Sequence, residues 1–129
     1  ILNNILWYAV AETKTQYHLA FYSLLDKNNV AENMITVEKN HDLVDMNANN
    51  LPTLAWFSNQ YYNLSKKEKV GTYRYVDLRY PMLNPEDPNT SVFNFTIFFK
   101  NGKWDILPFD GTPPNKEDFS KFIERIKGI

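Results

Sequence analysis

Alternation of apolar and polar side chains is the clearest pattern along this chain, and it predicts several β-strands. Two alternating runs lie near the start, on either side of the polar stretch 12–15, and a third run follows them. Two such runs around a short polar break are typical of an antiparallel hairpin. The strands predicted in this half of the chain cover residues 4–11, 16–26 and 34–38.

The second half of the chain carries a stronger hairpin signal. Residues 91–99 alternate, residues 104–109 return as their partner, and Asn101-Gly102 between them is the preferred sequence of a type I′ turn. In the first of these strands we expect the odd positions to face the core: Phe93, Phe95, Ile97 and Phe99. The even positions are expected to point outward: Asn94, Thr96 and Phe98. A further strand is predicted over 72–80.

Helical spacing appears in two places. Residues 51–62 predict a short helix, because Pro52 suits a first turn and apolar residues share one side. Its aromatic cluster favours core packing over a ligand platform: Trp56, Phe57, Tyr61 and Tyr62. A second helix is predicted from an apolar stripe that ends before Gly128: Phe119, Phe122, Ile123 and Ile126. The whole pattern predicts one α+β domain over residues 1–129, with an antiparallel β-sheet of about five to seven strands and two helices packed on it.

Composition narrows the function classes. The aromatic fraction of 16% favours a β-rich core, and the net charge of −1 argues against a nucleic-acid partner. The basic run 66–69 is interpreted as a solvated turn rather than a phosphate-binding patch. The sequence has no cysteine, which excludes disulfides, thiol catalysis and cysteine metal sites.

No motif in the sequence predicts a catalytic or metal site. The two histidines are His18, in a predicted strand, and His41, in a predicted loop beside Asp42 and Asp45. These last three side chains could ligate a metal in principle, but their spacing matches no known motif, so an exposed polar loop is the preferred interpretation. We therefore expect no metal ligands and no cofactor in this chain.

Asp77 and Arg79 are the most informative polar pair. Two residues apart on a predicted strand, they share a face and can form an ion pair or bind a polar ligand. A structural salt bridge that fixes strand order is the preferred interpretation. If the pair is a binding site, Trp7 and Tyr75 are the expected neighbours.

Three ordered stretches resemble the C-terminal extramembrane domain of a known family. They are residues 3–10 continuing to Tyr17 and 21–26, then 54–58 before Tyr61-Tyr62, then 75–80 before Phe93-Asn94-Phe95. This pattern is similar to bacterial membrane-bound, metal-dependent hydrolases, also described as LexA-binding, inner-membrane-associated hydrolases. The resemblance covers residues 3 to about 99. It rests on short motifs in order and on no catalytic signature.

The resemblance implies that this chain is the accessory part of a longer, membrane-associated protein. It implies an N-terminal transmembrane region upstream of Ile1, which would be a partner and would hold the divalent metal. The family's Asp-Leu-Arg-aromatic stretch corresponds to residues 77–80 here, with Pro81 where members often have Phe. The expected role is to bind a protein or small polar ligand. The alternatives are a domain that supplies catalytic residues, with His18 or His41, and a purely structural or oligomerising module.

Overall fold

The computed structural model describes residues 5–28, 34–82, 90–91, 93–108 and 116–128 of the chain. This part contains seven strands, two helices and a 3-10 turn. In chain order the elements are β1 (Leu6–Glu12), β2 (Gln16–Ser23), β3 (Ile35–Glu38), the 3-10 turn (His41–Leu43), α1 (Leu51–Phe57), β4 (Tyr62–Lys66), β5 (Thr72–Asp77), β6 (Asn94–Lys100), β7 (Lys103–Pro108) and α2 (Lys116–Ile126). The chain is therefore α+β, as predicted.

Both predicted hairpins are confirmed. β1 pairs with β2 and β6 pairs with β7, each antiparallel. Asn101 and Gly102 have φ angles of 55° and 77°, the positive values that a type I′ turn requires. Positions 4 and 109, at the ends of two predicted strands, lie outside the described residues.

The strands of the described chain form two antiparallel sheets, in the orders β1-β2-β3 and β4-β5-β6-β7. The number of strands agrees with the prediction, but the predicted single sheet is not confirmed. Two hydrogen bonds join the residues after β3 to β4. The Leu64 N–H donates to the Lys39 carbonyl at 3.1 Å, and the Asn40 side-chain amide donates to the Leu64 carbonyl at 3.0 Å. Asn40 has a φ of 51°. This left-handed conformation turns the chain away, and the ladder between the two sheets does not continue.

The four-stranded sheet has other elements packed on both of its faces, but part of the second face is open, where Leu107 is 54% exposed. One face packs on α1 and on the loop before it, through Tyr62, Leu64, Tyr75 and Ile97 against Val44, Met46, Leu51, Leu54 and Ala55. The opposite face meets the three-stranded sheet, through Val76, Leu78 and Met82 against Tyr17 and Leu19. The last residues of β5 therefore lie where the two sheets join.

The two-sided burial corrects the expected facing of β6. Ile97 is buried as predicted, but Phe99 is 52% exposed. Asn94 and Thr96, which were expected outside, are 1% and 7% exposed. The alternation was present, but the polar face of this strand is covered as well.

The predicted helix over 51–62 is too long, and a strand was missed. α1 ends at Phe57, since Asn59 and Gln60 have positive φ angles of 51° and 67°. A left-handed residue is a common way to end a helix, and Asn tolerates it well. Tyr62, assigned to the helix, instead begins β4.

Helix α2 lies against the three-stranded sheet, held by polar contacts. The Ser23 hydroxyl donates to the Ile126 carbonyl at 2.6 Å, and Arg125 pairs with Asp26. Ile123 of the predicted apolar stripe is 46% exposed, and the Phe119 side chain lies outside the described residues. After the helix, Gly128 has a φ of 75°, and a Cβ at this position would lie 2.5 Å from the Leu25 carbonyl oxygen.

Candidate functional site

The predicted Asp77–Arg79 pair is formed, but by a turn rather than by strand spacing. β5 ends at Asp77, three residues before the predicted end at position 80. Asp77 Oδ1 accepts the backbone N–H of Arg79 at 3.1 Å, the bond of an Asx turn, which halts the strand. The Leu78 N–H donates to the Tyr61 carbonyl at 2.9 Å. The aspartate therefore ends its own strand and brings Arg79 back over it.

The Arg79 guanidinium binds the Asp77 carboxylate through two parallel hydrogen bonds. Nε donates to Oδ1 at 3.1 Å and Nη2 donates to Oδ2 at 2.8 Å. The Asp77 side chain is fully buried, whereas the Arg79 side chain is 33% exposed. Hydrogen bonding to Asp77 raises the pKa of Arg79, because it favours the charged form. The pair therefore presents a permanently charged guanidinium at the surface, bound to a buried carboxylate.

Aromatic rings flank the Arg79 guanidinium. Its central carbon lies 5.3 Å from the ring centre of Phe57 and 5.5 Å from that of Tyr80. Phe93 joins these rings, at 5.9 Å from Phe57 and 4.5 Å from Tyr80. Cation–π contacts of this kind favour a fixed orientation of the guanidinium plane. The expected core packing of the Trp56–Phe57 pair is wrong, since Trp56 is 78% and Phe57 42% exposed.

Tyr8 links the three-stranded sheet to this site. Its hydroxyl donates to the Leu78 carbonyl at 2.8 Å. Burial, and after it the charge of Asp77, raise the pKa of Tyr8, so the phenol stays neutral. Tyr8 was not among the predicted site residues; alternation along β1 puts its side chain on the face opposite to Trp7, which was among them.

In the described part of the chain, neither expected neighbour, Trp7 or Tyr75, has a hydrogen bond or ring contact with Arg79, although Tyr75 interacts electrostatically with Arg79. Trp7 lies on the outer face of the three-stranded sheet and is 59% exposed. Tyr75 is buried in the core, where its hydroxyl donates to the Leu54 carbonyl at 2.8 Å and also bonds the Ser58 hydroxyl. Burial raises the pKa of Tyr75. Of the four predicted residues, the structure brings Asp77 and Arg79 into contact and places Tyr75 and Trp7 elsewhere.

A second polar site is a cleft of about 470 Å³, which the 3-10 turn and the loop after it line. His41, Asp42 and Asp45 all contribute to its wall, together with Gln60. The His41 ring stacks on Tyr62, with ring centres 4.0 Å apart, and its Nε2 bonds the Tyr62 carbonyl at 2.7 Å. A carbonyl can only accept, so Nε2 carries the proton and Nδ1 is the basic nitrogen of the neutral ring.

The other histidine, His18, does not line this cleft. His18 lies on the three-stranded sheet, where its Nδ1 is 3.1 Å from the Thr36 hydroxyl. Within the described residues no three His, Asp or Glu side chains come close enough together to hold a metal ion.

The comparisons with known proteins identify no relative: no family model, no curated protein and no solved structure matches the chain. In the described part of the chain, neither helix has the length and apolar character to cross a bilayer. The argument about function therefore depends on the two sites themselves.

Proposed function

We propose that this chain is a binding domain that recognises an anionic group, such as the carboxylate of a small polar ligand or of a protein partner, through Arg79. The observation that carries the proposal is the unequal burial of the ion pair. Asp77 is fully buried and Arg79 is 33% exposed. A salt bridge that served only to fix strand order would not need an exposed cation.

The ion pair leaves part of the guanidinium unused. Arginine has five N–H donors, and the bonds to Asp77 use one at Nε and one at Nη2. The other three have no hydrogen-bond partner among the described residues. Two of them lie along the edge formed by Nη1 and Nη2, which matches the spacing of a carboxylate or phosphate.

The aromatic rings decide how a ligand approaches. Phe57 and Tyr80 lie near the guanidinium, and both side chains are themselves partly exposed, at 42% and 40%. An anion is therefore directed to the free edge of Arg79, while an apolar group attached to that anion can pack on the rings. This combination favours a ligand with a carboxylate next to a flat or apolar group.

The pairing with Asp77 also sets the expected affinity. The buried carboxylate offsets the charge of Arg79, so the attraction for an anion is weaker than that of an isolated arginine. It also holds the guanidinium in place, which lowers the entropy lost on binding. For a small monoanion we expect a dissociation constant of about 1 mM.

The proposal is tested by titrating the chain with benzoate and following the amide and arginine Nε–H signals by NMR. Benzoate is expected to shift the Nε–H signal of Arg79, and the uncharged isostere benzamide is not. Arg79→Lys keeps the charge but loses the two-donor edge, so binding is expected to weaken about tenfold, given that a charge-assisted hydrogen bond is worth about 1.5 to 3 kcal/mol. Equal shifts by benzoate and benzamide would refute the proposal.

We further propose, on the family resemblance, that the domain is the accessory module of a membrane-anchored hydrolase. In this proposal the N-terminal transmembrane region holds the metal and the hydrolytic chemistry, and the Arg79 site binds the ligand or partner. Replacing Asp77 by Ala in the full-length protein is then expected to reduce its activity as well as its melting temperature. Unchanged activity with only a lower melting temperature would rule out a direct role of the site.

A second candidate function is proton transfer by His41. The observation that favours it is the cleft in which one histidine and two carboxylates share a wall, with His41 Nδ1 as a basic nitrogen. Calorimetric titration with Zn²⁺, Mn²⁺ and Mg²⁺ separates this role from a metal site. The proton-transfer role predicts no heat of binding, whereas micromolar binding that His41→Ala abolishes would make the cleft a metal site.

A further inference from the structure

One end of the four-stranded sheet is formed by two adjacent hairpin turns. The turn between β4 and β5 spans residues 67–71 and the turn between β6 and β7 spans residues 101–102. Because neighbouring strands are antiparallel, both turns project from the same end. The Phe99 N–H donates to the Gly71 carbonyl at 3.2 Å, which joins them. We refer to this end of the sheet, residues 66–74 and 100–105, as the hairpin tips.

The hairpin tips carry a positive charge that the whole chain does not. They contain six cations and two acids, a net charge of +4, whereas the chain has a net charge of −1. The cations are Lys66, Lys67, Lys69, Arg74, Lys100 and Lys103. The first run, 66–69, was predicted to be a solvated turn rather than a phosphate-binding patch; residues 67–69 lie in the turn, and Lys66 ends β4. The pairing of this turn with the second turn depends on the sheet order, which the sequence did not predict.

Exposed apolar side chains lie among these cations. Val70, at the tip of its turn, is 96% exposed, and Phe99 and Leu107 are 52% and 54% exposed. A groove of about 580 Å³ is lined by these three residues together with Lys67, Lys69 and Lys100. Several exposed apolar side chains together, surrounded by charged residues, are typical of a surface that contacts a partner or a membrane.

Two of the cations are held close together within the sheet. Lys67 Nζ donates to the Thr96 hydroxyl at 2.9 Å, which lays the side chain across the strands. Burial and the neighbouring Arg74 lower the pKa of Lys67. Arg74 Nε is buried and has no hydrogen-bond partner in the described part of the chain. Like charges this close are mutually unfavourable, and a phosphate-bearing group would relieve the repulsion.

We propose that the hairpin tips dock on a bilayer surface that contains anionic lipids. Lysines at a membrane surface attract anionic headgroups, while exposed apolar side chains enter the boundary between headgroups and acyl chains. Val70 provides the apolar contact at the tip, Phe99 and Leu107 add to it from the adjoining strands, one on each face of the sheet, and the six cations provide the charge. Nucleic acid offers phosphates but no apolar phase for Val70, which is why the observations favour a membrane.

This proposal is independent of the Arg79 site. The turn between β4 and β5 ends at Gly71, before Thr72 at the start of β5, and Asp77 ends the same strand. These six residues of strand place Asp77 about 17 Å from the turn. Arg79→Lys is therefore expected to leave membrane binding unchanged, so failure of one proposal does not imply failure of the other.

The test is co-sedimentation of the chain with vesicles of phosphatidylcholine alone and with vesicles containing about one quarter phosphatidylglycerol. We expect binding to the anionic vesicles and much weaker binding to the neutral ones. The double variant Lys69→Glu/Lys100→Glu is expected to lower the partition coefficient at least about 25-fold, since each cation near an anionic surface contributes a factor of about five. Lys14→Glu/Lys27→Glu, at exposed turns of the other sheet, makes the same change in net charge and is expected to have little effect.

The apolar contribution is tested separately. Val70→Asp is expected to weaken binding to anionic vesicles. This loss is expected above about 0.1 M salt as well, where charge attraction is screened. Leu24→Asp, in an exposed turn of the other sheet, is its control. Equal losses for the tip and control variants, or equal binding to neutral and anionic vesicles, would overturn the proposal. Tighter binding to a duplex oligonucleotide than to anionic vesicles would overturn it in favour of a nucleic-acid partner.

Discussion

The described part of the chain contains two Asp–Arg pairs, and they use the guanidinium in different ways. Arg125 of α2 donates from Nη1 and Nη2 to Asp26, at 2.6 and 2.8 Å, and from Nη2 also to the Phe21 carbonyl at 2.6 Å. The end edge formed by Nη1 and Nη2 is therefore occupied, and its bonds hold the helix to the sheet. Arg79 donates from its side edge to Asp77, and its end edge has no partner among the described residues.

The exposure of the four side chains follows the same division. Arg125 and Asp26 are 20% and 15% exposed, a nearly balanced pair that joins residues 99 apart in the chain. Arg79 and Asp77 are 33% and 0% exposed and only two residues apart. A pair that connects distant elements stabilises the fold, whereas a local pair with a buried anion and an exposed cation presents the cation. We infer that the first is structural and the second is a binding site.

The largest loss of stability is expected from Arg79→Ala. The substitution leaves the buried Asp77 carboxylate without its cation, which costs about 3 kcal/mol. Urea unfolding followed by circular dichroism measures this loss. A cost below about 1 kcal/mol, typical of a surface pair, would show that the burial of Asp77 is not important for stability.

Arg125→Ala is expected to cost somewhat less, about 2 kcal/mol, because charged hydrogen bonds are lost while the partner can still reach water. The same unfolding experiment measures it, with Lys121→Ala on the same helix as the control. Lys121 forms an exposed pair with Glu117, and its removal is expected to cost less than about 0.5 kcal/mol. Equal costs for the two variants would contradict the structural role of Arg125.

Tyr8→Phe removes the hydrogen bond from the Tyr8 hydroxyl to the Leu78 carbonyl beside the Arg79 site. The expected loss is about 1 kcal/mol, since the ring stays in place and one neutral bond is lost. Benzoate binding should weaken only slightly, because Tyr8 contacts the turn and not the guanidinium. A loss of binding as large as that of Arg79→Lys would instead place the Tyr8 hydroxyl at the ligand.

The smallest effect is the pH dependence of the stability that the Arg125–Asp26 pair contributes, and near neutral pH this contribution is constant. Hydrogen bonds from Arg125 lower the pKa of Asp26 below its ordinary value. A lowered pKa stabilises the fold above the ordinary value of about 3.9, and this contribution is lost as pH falls through the lower folded value. The difference in unfolding midpoint between the wild type and Asp26→Asn should therefore shrink from about pH 5 to about pH 3. A constant difference would contradict the assignment.

The strands were largely predictable, because alternation and turn residues are local. The Asn101-Gly102 hairpin is an example, since its turn chemistry depends on two residues. β4 was not predictable in this way. Tyr62 continues a helical spacing in the sequence, and only the left-handed residues Asn59 and Gln60 end the helix before it.

The site was half predictable. Asp77 and Arg79 were identified, but their contact comes from an Asx turn that no period in the sequence encodes. Phe57 reaches the guanidinium from another layer of the fold, and Tyr8 reaches the turn from the other sheet. Contacts between layers depend on which face of each element is covered. The sequence did not show which face is covered, because both faces of several strands are apolar.

The most direct test of the account compares the same substitution at the two pairs. Arg79→Lys and Arg125→Lys both keep the charge and both lose the two-donor geometry, and each is titrated with benzoate under the NMR conditions described above. The account predicts that Arg79→Lys weakens benzoate binding about tenfold and that Arg125→Lys leaves it unchanged. Equal binding by both variants and the wild type would show that Arg79 does not present a binding edge, and the pair would then be structural like the other.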